Sequence, residues 1–125
     1  MLTIVTEEKV HNIKYQGAIF GVVPNTKEEH KALVEKNTFF KKIKKGPTKK
    51  PEYVEAIDFV GLLADRIDSQ VKTWKGIAGK LECNSENKRA LALKKENDHI
   101  CSHIISEIEK IGQHIEKKKK EEAKN

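Results

Sequence analysis

The chain has 125 residues, of which 37% are hydrophobic and 35% are charged. This length suits one small domain with a single core, and no stretch approaches the roughly 20 apolar residues that a membrane span needs. Two cysteines are too few for a disulfide-built scaffold, and the formal charge is +6. The first residues lack the regions of a signal peptide, so we expect a cytoplasmic protein with reduced thiols and no membrane contact.

The start of the chain favours β structure. Strand-forming residues at 10–15 and 18–23 flank Gln16-Gly17, and a two-residue connection that contains glycine is typical of a hairpin. Residues 2–5 can add a third, shorter strand. The sequence therefore predicts an N-terminal hairpin or small antiparallel sheet.

A capping box predicts the first helix. Thr26 and Glu29 have the spacing at which each side chain satisfies the other residue's backbone N–H. The helix should run from here to about Asn37, and three apolar residues should face inward: Ala32, Leu33 and Val34.

Residues 41–50 carry the entire net charge. They contain six lysines and no acidic residue, and outside them 19 basic residues balance 19 acidic ones. Gly46-Pro47 and Pro51 predict that this segment is a mobile basic loop. Its lysines are Lys41, Lys42, Lys44, Lys45, Lys49 and Lys50.

The clearest periodic pattern predicts a long helix over residues 53–74 at the centre of the core. Apolar residues recur at alternating spacings of four and three, which place them on one face of a helix. They are Tyr53, Ile57, Val60, Ala64, Ile67, Val71 and Trp74.

The last residue of this pattern and two residues beyond it have expected structural roles. Trp74 should be a core aromatic that closes the helix, and Gly76 should permit the turn that follows. Asn84 should be the N-cap of a helix from Ser85 to about Lys95.

The last helix carries an isoleucine stripe with two readings. The stripe either completes the core of the domain or binds a partner, which can be a second copy of the chain. Its residues are Ile100, Ile104, Ile108, Ile111 and Ile115. We expect a single α+β domain over residues 1–116, followed by a charged, frayed tail at 117–125.

Candidate chemical sites are weak. His99 and His103 share one helical face, but Cys101 points elsewhere and no second convergent cysteine completes a metal site. No nucleophile lies beside a base, and no phosphate-binding loop is present. The sequence therefore predicts no catalytic residue, no metal and no cofactor.

Two stretches resemble small phage and prophage tail proteins of the tail assembly chaperone type. The first is YQGAIFGVVPNTKEE at residues 15–29, a hairpin that leads into a capped helix. The second is VKTWKGI at 71–77 followed by LECNSENKRAL at 81–91. The resemblance implies a protein that is not an enzyme and that binds the tape-measure protein or tube subunits while a tail is built.

The expected fold is therefore α+β, with an N-terminal hairpin or small antiparallel sheet followed by three to four helices. The expected function is protein–protein interaction in tail assembly, through residues 100–115 or a sheet edge. The alternative is a small basic protein that binds nucleic acid, or serves in packaging, through the lysine loop.

Overall fold

The computed structural model describes residues 9–43 and 50–123, together with Leu2 and Gly46. It confirms the α+β class, because an N-terminal antiparallel hairpin is followed by four helices. The elements in chain order are β1 (His11–Tyr15), β2 (Ala18–Val22), α1 (Lys27–Lys36), β3 (Thr38–Ile43), β4 (Glu52–Ile57), α2 (Phe59–Gln70), β5 (Val71–Lys75), α3 (Ser85–Leu93) and α4 (Asp98–Ala123).

The core lies between the main sheet and the helices. β2 is the central strand of an antiparallel sheet with the order β1-β2-β5. The β1–β2 turn uses the left-handed backbone of Gln16 and Gly17, with φ of 46° and 82°, as tight hairpin turns require. Helices α2, α3 and α4 supply the other core residues. The buried cluster comprises Ile13, Ala18, Phe20, Val22, Ala64, Ile67, Val71, Ala92, Cys101, Ile104 and Ile108.

The predicted caps are present. Thr26 Oγ1 accepts a hydrogen bond from Glu29 N at 3.1 Å, and Glu29 Oε1 accepts one from Thr26 N at 3.0 Å. Asn84 caps α3 through a 2.8 Å hydrogen bond from Asn87 N. The inward face predicted for α1 is wrong at Ala32, which is exposed. The main packing partner of this helix is α2, and none of the helix's residues is fully buried.

The single helix predicted over residues 53–74 is wrong. The segment is divided into β4, α2 and β5. Asp58 begins α2 because its side chain accepts a hydrogen bond from Gly61 N at 3.0 Å. Val71 and Trp74 leave the helical pattern because β5 pairs with β2, where Trp74 lies opposite Phe20.

Trp74 packs against the core from a strand instead of a helix, and Gly76 lies at the turn that follows. The Trp74 ring meets Phe20 edge-on at 6.4 Å between centroids, and its Nε1 donates to the Leu81 carbonyl at 2.8 Å. Gly76 has a φ of 74°, and a Cβ there would lie 2.5 Å from the carbonyl oxygen of Gly17. Both the conformation and the space therefore require glycine.

Some predicted segments lie only in part within the described residues. The third strand at 2–5 and three lysines of the basic loop, Lys44, Lys45 and Lys49, lie outside them, apart from Leu2. Lys41, Lys42 and Ile43 belong to β3, so the predicted loop begins three strand residues too early. At the other end α4 continues to Ala123, and residues 117–123 of the predicted frayed tail are helical.

Candidate interaction surface: a projecting β-hairpin

Strands β3 and β4 form a separate two-stranded sheet, which we call the arm. They pair in antiparallel fashion from Thr38 opposite Ile57 to Ile43 opposite Glu52. Neither strand joins the main sheet. Two-stranded sheets are only marginally stable in water unless something packs on them.

The arm lies in a long stretch that adds nothing to the core. Between Val22 and Leu62, none of the described residues is buried. The chain contains four Phe, two Tyr and one Trp, and four of these seven aromatic residues are exposed in this stretch. Phe40, Tyr53 and Phe59 are 69%, 65% and 72% exposed. Of these, Phe40 and Tyr53 are diagonal cross-strand neighbours on one face of the arm, and exposed apolar side chains grouped in this way mark interaction sites.

Both faces of the arm combine apolar and basic side chains. Opposed residues in an antiparallel pair point to the same face, and successive residues alternate. One face therefore carries Phe40, Lys42 and Tyr53, and the other carries Phe39, Lys41 and Val54. Over residues 38–57 the sequence has six lysines against two glutamates, and the strands themselves hold Lys41 and Lys42 on β3 and Glu52 and Glu55 on β4.

Hydrogen bonds fix the base of the arm to the body of the domain. Asp58 N donates to the Asn37 carbonyl at 2.8 Å, and Thr38 Oγ1 donates to the Val34 carbonyl at 2.7 Å. The Asn37 side chain donates to the carbonyl of Leu33 at 2.8 Å and to Asp65 Oδ2 at 2.9 Å. The arm is therefore exposed along its length but firmly connected at its root.

A charged network lies directly below this root. Asp65, which is only 5% exposed, contacts Arg89 at 2.8 Å and Lys36 at 3.5 Å, in addition to Asn37. Arg89 also contacts Asp68 at 3.0 Å. The network links the end of α1, helix α2 and helix α3, and so couples the base of the arm to the core.

The two aspartates of the network titrate below the ordinary range. Burial by itself raises the pKa of Asp65, but hydrogen bonds from Asn37 and Arg89 and the nearby positive charges outweigh it, so the pKa is lowered. The pKa of Asp68 is also lowered, because hydrogen bonds from Ser85 and Lys88 outweigh its burial.

The residues of the isoleucine stripe differ in how deeply they are buried. Ile104 and Ile108 are buried in the core, so these two residues cannot offer a free surface in the folded domain. Ile100 and Ile111 pack against the core and are half-buried, as is Ile115, which lies beyond it.

Two of the three histidines of α4 pack against β1. Tyr15 shares a 2.8 Å hydrogen bond with Nδ1 of His99, and its ring stacks on His103 at 4.6 Å between centroids. Among the described residues, no group of three or more His, Cys, Asp or Glu side chains is arranged to hold a metal ion. The two histidines instead help to dock α4 on the sheet.

Both thiols are poor nucleophiles at neutral pH. Burial, with a smaller contribution from Asp98, raises the pKa of Cys101 to about 11. Burial also raises the pKa of Cys83, although Lys88 opposes the effect. Reactive cysteines need the opposite shift.

Sequence reasoning missed the exposed aromatic residues of the arm. The helix predicted over 53–74 includes Tyr53, and the sequence pattern predicts no role for Phe39 or Phe40. A signal was present, because strand-forming residues at 38–43 and 52–57 flank a segment with Gly46-Pro47 and Pro51.

Comparisons with known proteins give this chain no relative. No protein-family model matches it, and neither the curated proteins nor the solved structures include a significant match. Within the described ranges, no helix combines the length and the apolar character needed to cross a membrane.

Proposed function

We propose that the protein is not an enzyme and that it binds a protein partner through the arm. The observation that carries this proposal is the exposure of Phe40 and Tyr53 on the arm, in a stretch that the domain's own core does not use. Exposed aromatic side chains on a fixed support are typical anchors of protein interfaces. The firm root at Asn37 and Asp58 reduces the ordering cost of binding.

The resemblance to tail assembly chaperones supplies the class of partner. In this proposal the chain acts in the bacterial host cytoplasm as a phage or prophage tail assembly chaperone or tail accessory protein. Its partner is a tail protein such as the tape-measure protein. The arm then replaces residues 100–115 as the main contact surface, because Ile104 and Ile108 are occupied in the core.

We expect the Phe40→Ser/Tyr53→Ser variant to lose at least about tenfold in affinity for the partner, because hot-spot aromatics carry most of the energy of an interface. The measurement is calorimetric titration with the tape-measure or tube protein encoded in the same tail gene cluster. Leu93→Ser is the matched control, since Leu93 is an exposed apolar residue of α3 and does not belong to the arm. Equal binding by the double variant and the wild type would contradict the proposal.

A second candidate function is binding of single-stranded nucleic acid. It is favoured by the register of the arm, which places Lys42 opposite Tyr53 and on the same face as Phe40. Bases can stack on such aromatic rings while lysines contact phosphates. A gel-shift titration with single-stranded DNA tests this candidate: binding should be present at about 50 mM salt and fall steeply above it. Absence of a shift at the low salt concentration rejects it.

A further inference from the structure

We propose that the outer edge of β4 pairs with β4 of a second copy, so that two arms form one four-stranded antiparallel sheet. The inference goes beyond the proposed function because it requires no tail protein. It starts from the unpaired edge: in the part of the chain that the structure describes, β4 pairs with β3 and with no other strand. An edge of this kind is a template for another strand.

The distribution of lysines selects β4 over β3. β3 contains Lys41 and Lys42, and lysines on an edge strand hinder pairing with another chain. Pairing of β3 with its own copy would also bring four like charges together. β4 has no lysine between Glu52 and Ile57, so its edge is the less protected of the two.

The hydrogen bond at the root of the arm identifies the backbone groups that are free to pair. Asp58 N donates to the Asn37 carbonyl, toward β3. Because directions alternate along a strand, the N–H and C=O groups of Tyr53, Glu55 and Ile57 point away from β3. These residues can therefore form hydrogen bonds with a second copy without disturbing the arm.

Charge then selects one register for the pairing. A two-fold axis at Val54 places Tyr53 opposite Glu55 of the second copy, and both residues have outward backbone groups. Val54 then lies opposite its own copy. Two neighbouring registers have the same direction of hydrogen bonds. One would place Glu55 opposite Glu55, and like charges directly opposed are destabilising. The other would place Glu55 opposite Pro51, which has no N–H to donate.

The chosen register also brings apolar side chains of the two copies together on one face of the sheet. The same face of each arm points the same way, so Phe39 and Val54 of both copies lie on one side of the four-stranded sheet. Three or more strands with an apolar face have the stability that a lone hairpin lacks. Self-pairing therefore gives the arm the third and fourth strands that the domain itself does not supply.

A cross-linking experiment tests the register. In a Cys83→Ser background, we expect Val54→Cys to form a disulfide-linked dimer under mild oxidation. Opposed residues of a non-hydrogen-bonded antiparallel pair have Cα atoms about 4.5 Å apart, within the range that a disulfide spans. Ala56→Cys is the matched control and should remain monomeric on a non-reducing gel, since Ala56 would face Glu52 of the second copy.

Sedimentation equilibrium with two proline variants tests the edge. Glu55→Pro removes an outward N–H of β4 and should weaken dimerisation on the order of tenfold or more. Lys42→Pro makes the same change on the outer edge of β3 and should leave the dimer unchanged. Circular dichroism on both variants verifies that the domain is folded.

Three outcomes would overturn the inference. The first is a wild-type protein that remains monomeric up to about 100 µM, a weak affinity for a stable dimer. The second is a dimer that Glu55→Pro does not affect, without cross-linking of Val54→Cys. The third is a dimer that nuclease treatment abolishes, which would favour the nucleic-acid function. Tail-protein binding that depends on Phe40 and Tyr53 tests the proposed function separately.

Discussion

Ile104→Asp is expected to abolish cooperative folding. Ile104 has no exposed surface, and it packs in the core where α4 meets the sheet. The substitution removes a large apolar side chain and buries a carboxyl group without a partner. The expected loss exceeds about 4 kcal/mol, a large part of the stability of a small domain. The measurement is thermal unfolding followed by circular dichroism.

Ile115→Asp is the control for that experiment, because Ile115 lies on the same stripe but outside the core cluster. It should cost less than about 1.5 kcal/mol and leave a sharp unfolding transition. If Ile104→Asp instead remained folded and only dissociated an oligomer, the stripe would be a partner surface, and the core described here would be wrong.

Asp65→Ala is expected to lower the free energy of unfolding by about 3 kcal/mol, because breaking a buried ion pair leaves its partners unsatisfied. Asp65 accepts a hydrogen bond from Asn37 at the base of the arm and contacts Arg89 of α3. Urea denaturation at pH 7 measures the change. Glu116→Ala is the control, since its contact with Lys27 is solvent-exposed and should contribute less than about 1 kcal/mol.

Acid should unfold the protein through the same network. The pKa values of Asp65 and Asp68 lie below the ordinary value of 3.8, so both carboxylates stabilise the folded state above that pH. This stability is lost as the pH falls through 3.8 toward the lower pKa values of the folded state. In urea denaturation at a series of pH values from 5 downward, the free energy of unfolding of Asp65→Asn should fall less with pH than that of the wild type. If the free energy of unfolding fell equally with pH in the variant and the wild type, the lowered pKa of Asp65 would be contradicted.

Local signals in the sequence predicted local structure well. The capping box at Thr26, the turn at Gln16-Gly17 and the N-cap at Asn84 all depend on interactions within a few residues. Such interactions are determined by the nearby sequence. The fold class followed from these signals, because a hairpin start and capped helices leave few alternatives.

The error over residues 53–74 has a physical cause. A spacing of four places residues on one face of a helix, but an even spacing also places them on one face of a strand. Tyr53 and Ile57 therefore fit both β4 and a helix. Only the pairing of Val71–Lys75 with β2, distant in sequence, decides where α2 ends.

The candidate surface could not be predicted from the sequence for a related reason. Burial of Ile104 and exposure of Phe40 depend on which elements meet in space, and the composition of both segments permits either environment. The lysine run was visible, but its register against Tyr53 depends on the pairing of β3 with β4. That pairing turns a charged segment into an arm with mixed aromatic and basic faces.

The central claim is that the aromatic residues of the arm are available to a partner and are not needed for the fold. Urea denaturation of the dilute Phe40→Ser/Tyr53→Ser variant tests it most directly. We expect a loss of at most about 1 kcal/mol, the size of a cross-strand contact between exposed side chains. A loss above about 3 kcal/mol, the size of a core deletion, would show that the arm belongs to the core and would contradict the account.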